Sequence, residues 1–130
     1  MMHLRIGERD CWIRGRMDAV IAGDIPRVID YKYARWRDGA EANYGVQMTA
    51  YSLALMKALG AGRAGGELWY LRPPMKIIRR EYSFEEAEDQ LNLLLLKYVM
   101  AIETNDWPMA GRMHCDRVGC GFRQRCWSGS

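Results

Sequence analysis

Alternation comes first along this chain, then two helical periods, then neither. Residues 2–8 carry a short alternating run, His3-Leu4-Arg5-Ile6, which predicts a strand, and Gly7-Glu8-Arg9-Asp10 predicts a turn. From Cys11 to Ile21 the alternation resumes, with Trp12, Arg14, Arg16 and Asp18 on one face and Cys11, Ile13, Gly15, Met17 and Ala19 on the other. Ala22-Gly23-Asp24 is a short turn, and residues 25–33 form the next strand. The connections are too short for parallel crossovers, so the three strands are expected to form an antiparallel meander. A polar, basic loop, Ala34-Arg35-Trp36-Arg37-Asp38-Gly39, follows.

A helix is expected over residues 42–59, apolar at Val46, Ala50, Leu53, Ala54 and Met56, with Gly60 as its stop signal. The glycine-rich connection 60–66 leads to a strand over 67–71. Arg72-Pro73-Pro74 turns the chain, and residues 75–82 form another strand. Ser83 then caps a long helix, with Glu86 three residues on to complete a capping box and an acidic first turn that suits the helix dipole. That helix runs to about Glu103, is apolar at Leu91, Leu94, Leu95, Tyr98, Val99 and Ile102, and is ended by residues 104–108. The tail has many Arg and Cys and little periodicity. Three strands, helix, two strands, helix and irregular tail predict one α+β (mixed α/β) domain over residues 1–130: a small mixed sheet of about five strands with flanking helices.

Composition narrows the setting only slightly. One core fits 130 residues, and a net charge of +3 neither requires nor excludes a nucleic-acid partner. The longest apolar run, Leu91 to Leu96, is interrupted by Asn92 and is far too short to span a membrane. The N-terminus lacks the apolar stretch of a signal peptide, so a cytoplasmic location is expected. Cys11 stands alone, whereas Cys115, Cys120 and Cys126 crowd the C-terminus. In a reducing compartment such a cluster favours metal over disulfides.

The chemistry concentrates between Arg14 and Lys32. Asp30 and Lys32, two apart on one strand, point the same way, and Asp18 lies on the neighbouring segment. An acid and an amine aimed together from a Val- and Ile-rich strand are costly unless something uses them. Magnesium, held by one or two carboxylates plus water and phosphate, would be a natural user, with Asp18, Asp30 and the Tyr31 carbonyl as oxygen ligands. Lys32 beside it could orient water or stabilise charge on phosphate. An ordinary strand ion pair fits the same spacing.

Gly15-Arg16-Met17-Asp18 followed by Ile29-Asp30-Tyr31-Lys32, then Gln47-Met48-Thr49-Ala50-Tyr51 on a helix, then Cys115-x4-Cys120-x5-Cys126, resembles the motif series of the PD-(D/E)XK nuclease superfamily. The branch it most resembles is the RecB/AddB-type nuclease domain, which includes CRISPR-associated exonucleases. The resemblance covers residues 14–126 and implies a restriction-endonuclease-like core and a Mg²⁺- or Mn²⁺-dependent deoxyribonuclease. It implies an exonuclease of DNA repair, recombination or mobile-element processing, acting on single strands or duplex ends. It implies Asp18 and Asp30 as metal ligands, Lys32 as the catalytic lysine, and Gln47 and Tyr51 as a helix pair facing the active site. Their i, i+4 spacing sets both on one helix face in any case.

For the cysteine-rich tail, residues 111–127, the resemblance implies a 4Fe–4S cluster bound by Cys115, Cys120 and Cys126. The fourth ligand is missing or is Cys11, which a buried strand cysteine explains as well. Zinc on these thiols with His114 is the alternative. The family pattern opens with a helix carrying His or Glu, and this chain opens at the following strand. A helicase or other subunit is therefore an expected partner, supplying that segment, and a non-catalytic, nuclease-derived DNA-binding or structural module is the alternative function. Arg16, Arg35, Arg37 and Trp36 are expected to contact nucleic acid. Arg79, Arg80, Arg112, Arg117, Arg123 and Arg125 are further cations for a phosphate backbone, or simply solubilising ones, and Trp107 and Trp127 further rings for stacking or packing.

Overall fold

The structure is a computed structural model that describes residues 1–39, 44–107 and 110–127. In chain order its elements are β1 (Met2–Ile6), β2 (Arg9–Ile13), β3 (Ala19–Ile21), β4 (Arg27–Lys32), α1 (Gly45–Leu59), β5 (Arg63–Tyr70), β6 (Lys76–Ser83), α2 (Phe84–Thr104), α3 (Arg112–Arg117) and α4 (Arg123–Trp127). The fold is mixed α and β, as the sequence predicts, with a different partition of strands. A two-stranded sheet, β1-β2, stands apart from a four-stranded sheet ordered β3-β4-β5-β6.

The expected meander is corrected at residues 14–18. Alternation continues from Cys11 to Ile21, but these five residues form no strand and the chain changes sheets across them. β1 and β2 pair as an antiparallel hairpin, Met2 opposite Ile13, around Gly7 with its left-handed φ of 60°. β3 is only three residues long and pairs antiparallel with β4, Ala19 opposite Ile29. Asp18 therefore sits at the bend just before β3 rather than inside a strand.

β4 and β5 are parallel, joined across α1, with Asp30 opposite Leu68 and Lys32 opposite Tyr70. β5 runs over eight residues and pairs antiparallel with β6, so the sequence expectation of a strand over 67–71 was too short. Its extra length is Arg63-Ala64-Gly65-Gly66, where weak strand formers are tolerated because neighbours press close. A Cβ on Gly66 would lie 3.2 Å from Met48 Sδ and 3.3 Å from Ser52 Oγ, both on α1. Val28, Asp30, Lys32, Gly66, Leu68 and Tyr82 thus share the sheet face that α1 covers.

Helix α1 begins at Gly45; the expected start at residue 42 lies outside the described residues. It ends on Gly60 with φ 64°, the left-handed cap expected of that glycine. Its buried side is Met48, Thr49, Ser52, Leu53, Leu55 and Met56, whereas Val46, expected in the core, is half exposed. The Thr49 hydroxyl donates to the Gly45 carbonyl and meets Gln90 of α2 at 3.3 Å, and Lys57 pairs with Glu88 at 3.1 Å. At the start of α2 the Ser83 hydroxyl accepts from the Glu86 N–H at 3.2 Å, the capping bond the sequence predicts. Glu86 itself turns to Arg80 and Gln90. Asn105, with φ 53°, follows the last helical residue, Thr104; Pro108 lies outside the described residues.

The chain divides into two compact units, Met1–Leu96 and Lys97–Ser130. In the second, the tail is not irregular as expected: α3 and α4 form two short helices. Arg123 bridges to Asp116 at 2.7 Å, and the Cys120 N–H donates to the Cys115 carbonyl. Among the described residues no helix is long and apolar enough to cross a membrane.

Candidate active site

Two-residue alternation on β4 and four-residue periodicity on α1 bring four side chains together. Lys32 Nζ lies 2.6 Å from Asp30 Oδ2 and donates to Gln47 Oε1 at 3.1 Å. Gln47 Nε2 donates to Asp30 Oδ1 at 3.2 Å and to Tyr51 Oη at 3.1 Å. The amide orientation follows from chemistry, because an ammonium only donates and must meet the carbonyl end. Lys32 Nζ also lies 4.0 Å from the centroid of the Tyr44 ring, at the entry to α1. Tyr51 accepts from Gln47, which leaves its own O–H proton for another acceptor.

Asp30 is buried and Asp18 exposed. Asp18 Oδ2 accepts from the Tyr31 backbone N–H at 2.9 Å, so the first carboxylate is tied to the peptide between Asp30 and Lys32. Extending the β3–β4 register by one residue sets Asp18 opposite Asp30. Gly15 lets the segment before Asp18 pass close to Tyr51 of α1: a Cβ there would lie 2.8 Å from Tyr51 Cε1. Sequence reasoning quoted Gly15 as part of a motif and missed the steric reason for it. It also missed Tyr44, for which no local signal exists.

The donor set fits a hard cation. Asp30 Oδ2 is sealed from solvent, and among the described residues its partner is the Lys32 ammonium at 2.6 Å, with no further hydrogen bond. Asp18 uses one oxygen on Tyr31. Oxygen donors with few protein ligands suit Mg²⁺ or Mn²⁺, whose remaining positions go to water and phosphate.

The tail thiols are different. Cys115 is buried and donates weakly to the Ala110 carbonyl, Cys120 is half-buried, and Cys126 is exposed. Cys11 is a half-buried strand cysteine. Among the described residues no three His, Cys, Asp or Glu side chains gather as a metal-binding group. His114 meets Arg117 at 3.3 Å.

A second buried carboxylate went unnoticed in the sequence. Glu67, on β5, projects to the sheet face opposite α1, where Arg27 donates at 2.8 Å, Arg79 at 3.2 Å and Trp69 at 2.8 Å. Burial alone would push its carboxyl up. The Trp69 hydrogen bond, then the bond and charge of Arg79 and the charge of Arg27, outweigh that and hold it below the usual glutamate value. Arg79 is thus engaged in the fold, Arg80 bonds Glu86, and Arg123 bonds Asp116. Arg16, Arg35 and Arg37 are exposed, and Trp36 is half-buried with Lys76 Nζ 3.5 Å from its ring centroid.

Against known proteins, residues 3–127 match the family model of the PD-(D/E)XK nuclease superfamily, and the chain belongs to that superfamily. Among solved structures it is similar to one titled "Crystal structure of SSO0001", with a TM-score of 0.54 and 21% identity. That likeness covers 88% of this chain and 52% of the other, so the chain spans about half the length of that neighbour and shares its fold. No curated protein matches the chain.

Proposed function

We propose that the chain is a metal-dependent DNA nuclease domain that hydrolyses phosphodiester bonds, acting as an exonuclease of the RecB/AddB type in repair, recombination or mobile-element processing. The observation that carries it is the closed set Asp30–Lys32–Gln47–Tyr51 with Asp18 bound to the intervening Tyr31 peptide. Asp18 and Asp30 would hold Mg²⁺ or Mn²⁺, with the Tyr31 carbonyl as a further oxygen. Bound there, the metal supplies Lewis acidity toward the phosphate and lowers the pKa of water.

The chain's own groups do the positioning. Gln47 fixes the Asp30 carboxylate and the Lys32 ammonium in one geometry through its two ends. Lys32 sets a positive charge where negative charge develops on the phosphate, and the Tyr51 hydroxyl has a proton for a phosphate oxygen. The tail thiols are not gathered as a ligand set, and no step depends on an iron–sulfur or zinc centre. A helicase or other subunit remains the proposed partner of the domain.

The test is digestion of plasmid and single-stranded DNA with Mn²⁺ and with EDTA. Asp30→Ala and Lys32→Ala are each expected to abolish cleavage while circular dichroism and melting show an intact fold. Metal-dependent cleavage surviving both substitutions would overturn the assignment. Binding without cleavage in either condition would instead identify a non-catalytic DNA-binding module.

A further inference from the structure

Past the end of the sheet, β4 and β5 stay zipped together. The Leu71 N–H donates to the Lys32 carbonyl at 3.0 Å, and the Arg72 N–H to the Ala34 carbonyl at 3.4 Å. The loop after the catalytic strand is thereby pinned to the β5–β6 turn. A second rung joins them where Lys76 Nζ sits on the Trp36 ring. On this fixed backbone Tyr33, the residue after Lys32, is 84% exposed. Arg72 Cζ lies 5.8 Å from its ring centroid, within cation–π range.

An aromatic ring at that exposure contributes little to packing, and the backbone beneath it is not free to swing it inward. Residues 33–39 and 71–76 together carry Arg35, Arg37, Arg72 and Lys76 against a single acid, Asp38. The surroundings of the ring are therefore cationic, as a phosphate backbone requires. We propose that Tyr33, backed by Arg72, is a stacking subsite for an unpaired base of the strand entering the catalytic pocket, with Arg35 and Arg37 on its phosphates. Strand alternation turns Tyr33 to the side opposite Lys32, so the subsite lies outside the pocket, just past the end of β4, and takes a neighbouring nucleotide. A duplex hides its base faces in the stack, and an exposed ring selects a strand whose bases are free. The inference rests on the nuclease reading only for which nucleotide is placed there.

The experiment measures binding in EDTA, where cleavage plays no part, using a single-stranded oligonucleotide carrying 2-aminopurine and a blunt duplex of equal length. Wild type is expected to bind the single strand and quench the 2-aminopurine. Tyr33→Ala is expected to weaken single-strand binding about tenfold, the lower-middle range for one stacked base, and to relieve quenching. Tyr33→Phe should retain both, and duplex binding should not change in either variant. Unchanged single-strand binding in Tyr33→Ala, equal loss on single strand and duplex, or no single-strand binding by wild type would each overturn the subsite. Tyr33-dependent quenching in a protein that cleaves nothing with Mn²⁺ would retain the subsite and remove the nuclease reading; cleavage indifferent to Tyr33 would do the reverse.

Discussion

Gln47 illustrates how much one side chain can organise. It satisfies Asp30 Oδ1, accepts from Lys32 and orients Tyr51, so its loss frees three groups at once. Hydrogen bonds to charged partners contribute about 1.5–3 kcal/mol each. Gln47→Ala is therefore expected to lower kcat by roughly tenfold to a hundredfold in single-turnover cleavage, and to lower the melting temperature by several degrees as well. Gly15→Ala acts on the same set from the other side. Its new methyl meets the Tyr51 ring at a distance no real contact tolerates, so the ring or the 14–18 segment must shift. A stability loss of about 1–3 kcal/mol is expected, with a drop in kcat that Tyr51→Ala does not deepen when added. The pairings Asp30 with Lys32 and Gln47 with Tyr51 were legible in the sequence, because periods of two and four fix which residues share a face. The roles of Gly15 and Tyr44 were not, since each depends on a neighbour distant in the chain or on a loop's path.

At the scale of elements, the site depends on how α1 seats on β5. Gly66 leaves the space into which Met48 and Ser52 descend, and Thr49 and Lys57 tie the same helix to α2. Gly66→Val is expected to lift α1 by a few tenths of an ångström at least. That should cost about 1–3 kcal/mol in denaturant melts and reduce cleavage, although residue 66 touches no substrate. A variant with the full stability loss and wild-type kcat would show that the seating of α1 does not position Gln47. Helix ends were readable here, at Ser83 and Gly60, because capping chemistry is local. The apparent strand from Cys11 to Ile21 misled because alternation says nothing about which sheet a strand joins. The helices α3 and α4, six and five residues long, are too short for periodicity to emerge.

Across the whole molecule, two buried carboxylates on adjacent strands face opposite sides of one sheet, and their surroundings separate structure from chemistry. Glu67 has both oxygens engaged by Arg27, Arg79 and Trp69, which leaves nothing for a ligand. Its lowered pKa makes it a stability element with a definite sign. The contribution is present above the unfolded value of about 4.5 and is lost as pH falls through the depressed folded value. Glu67→Gln should therefore melt below wild type at neutral pH, by about 2 kcal/mol once solvent screening of the half-exposed arginines is discounted. The gap should close as the pH falls through the depressed folded value. Asp30, by contrast, has one buried oxygen that among the described residues meets only the Lys32 ammonium. A ligand bound only by the folded state stabilises it by about 2.7 kcal/mol at a hundred times its Kd. Saturating Mn²⁺ should then raise the melting temperature of wild type by several degrees and that of Glu67→Gln equally, while leaving Asp30→Asn unmoved. Were Asp30→Asn to gain as much as wild type, the ion would be binding elsewhere, and the buried oxygen of Asp30 would be no more than half of an ion pair.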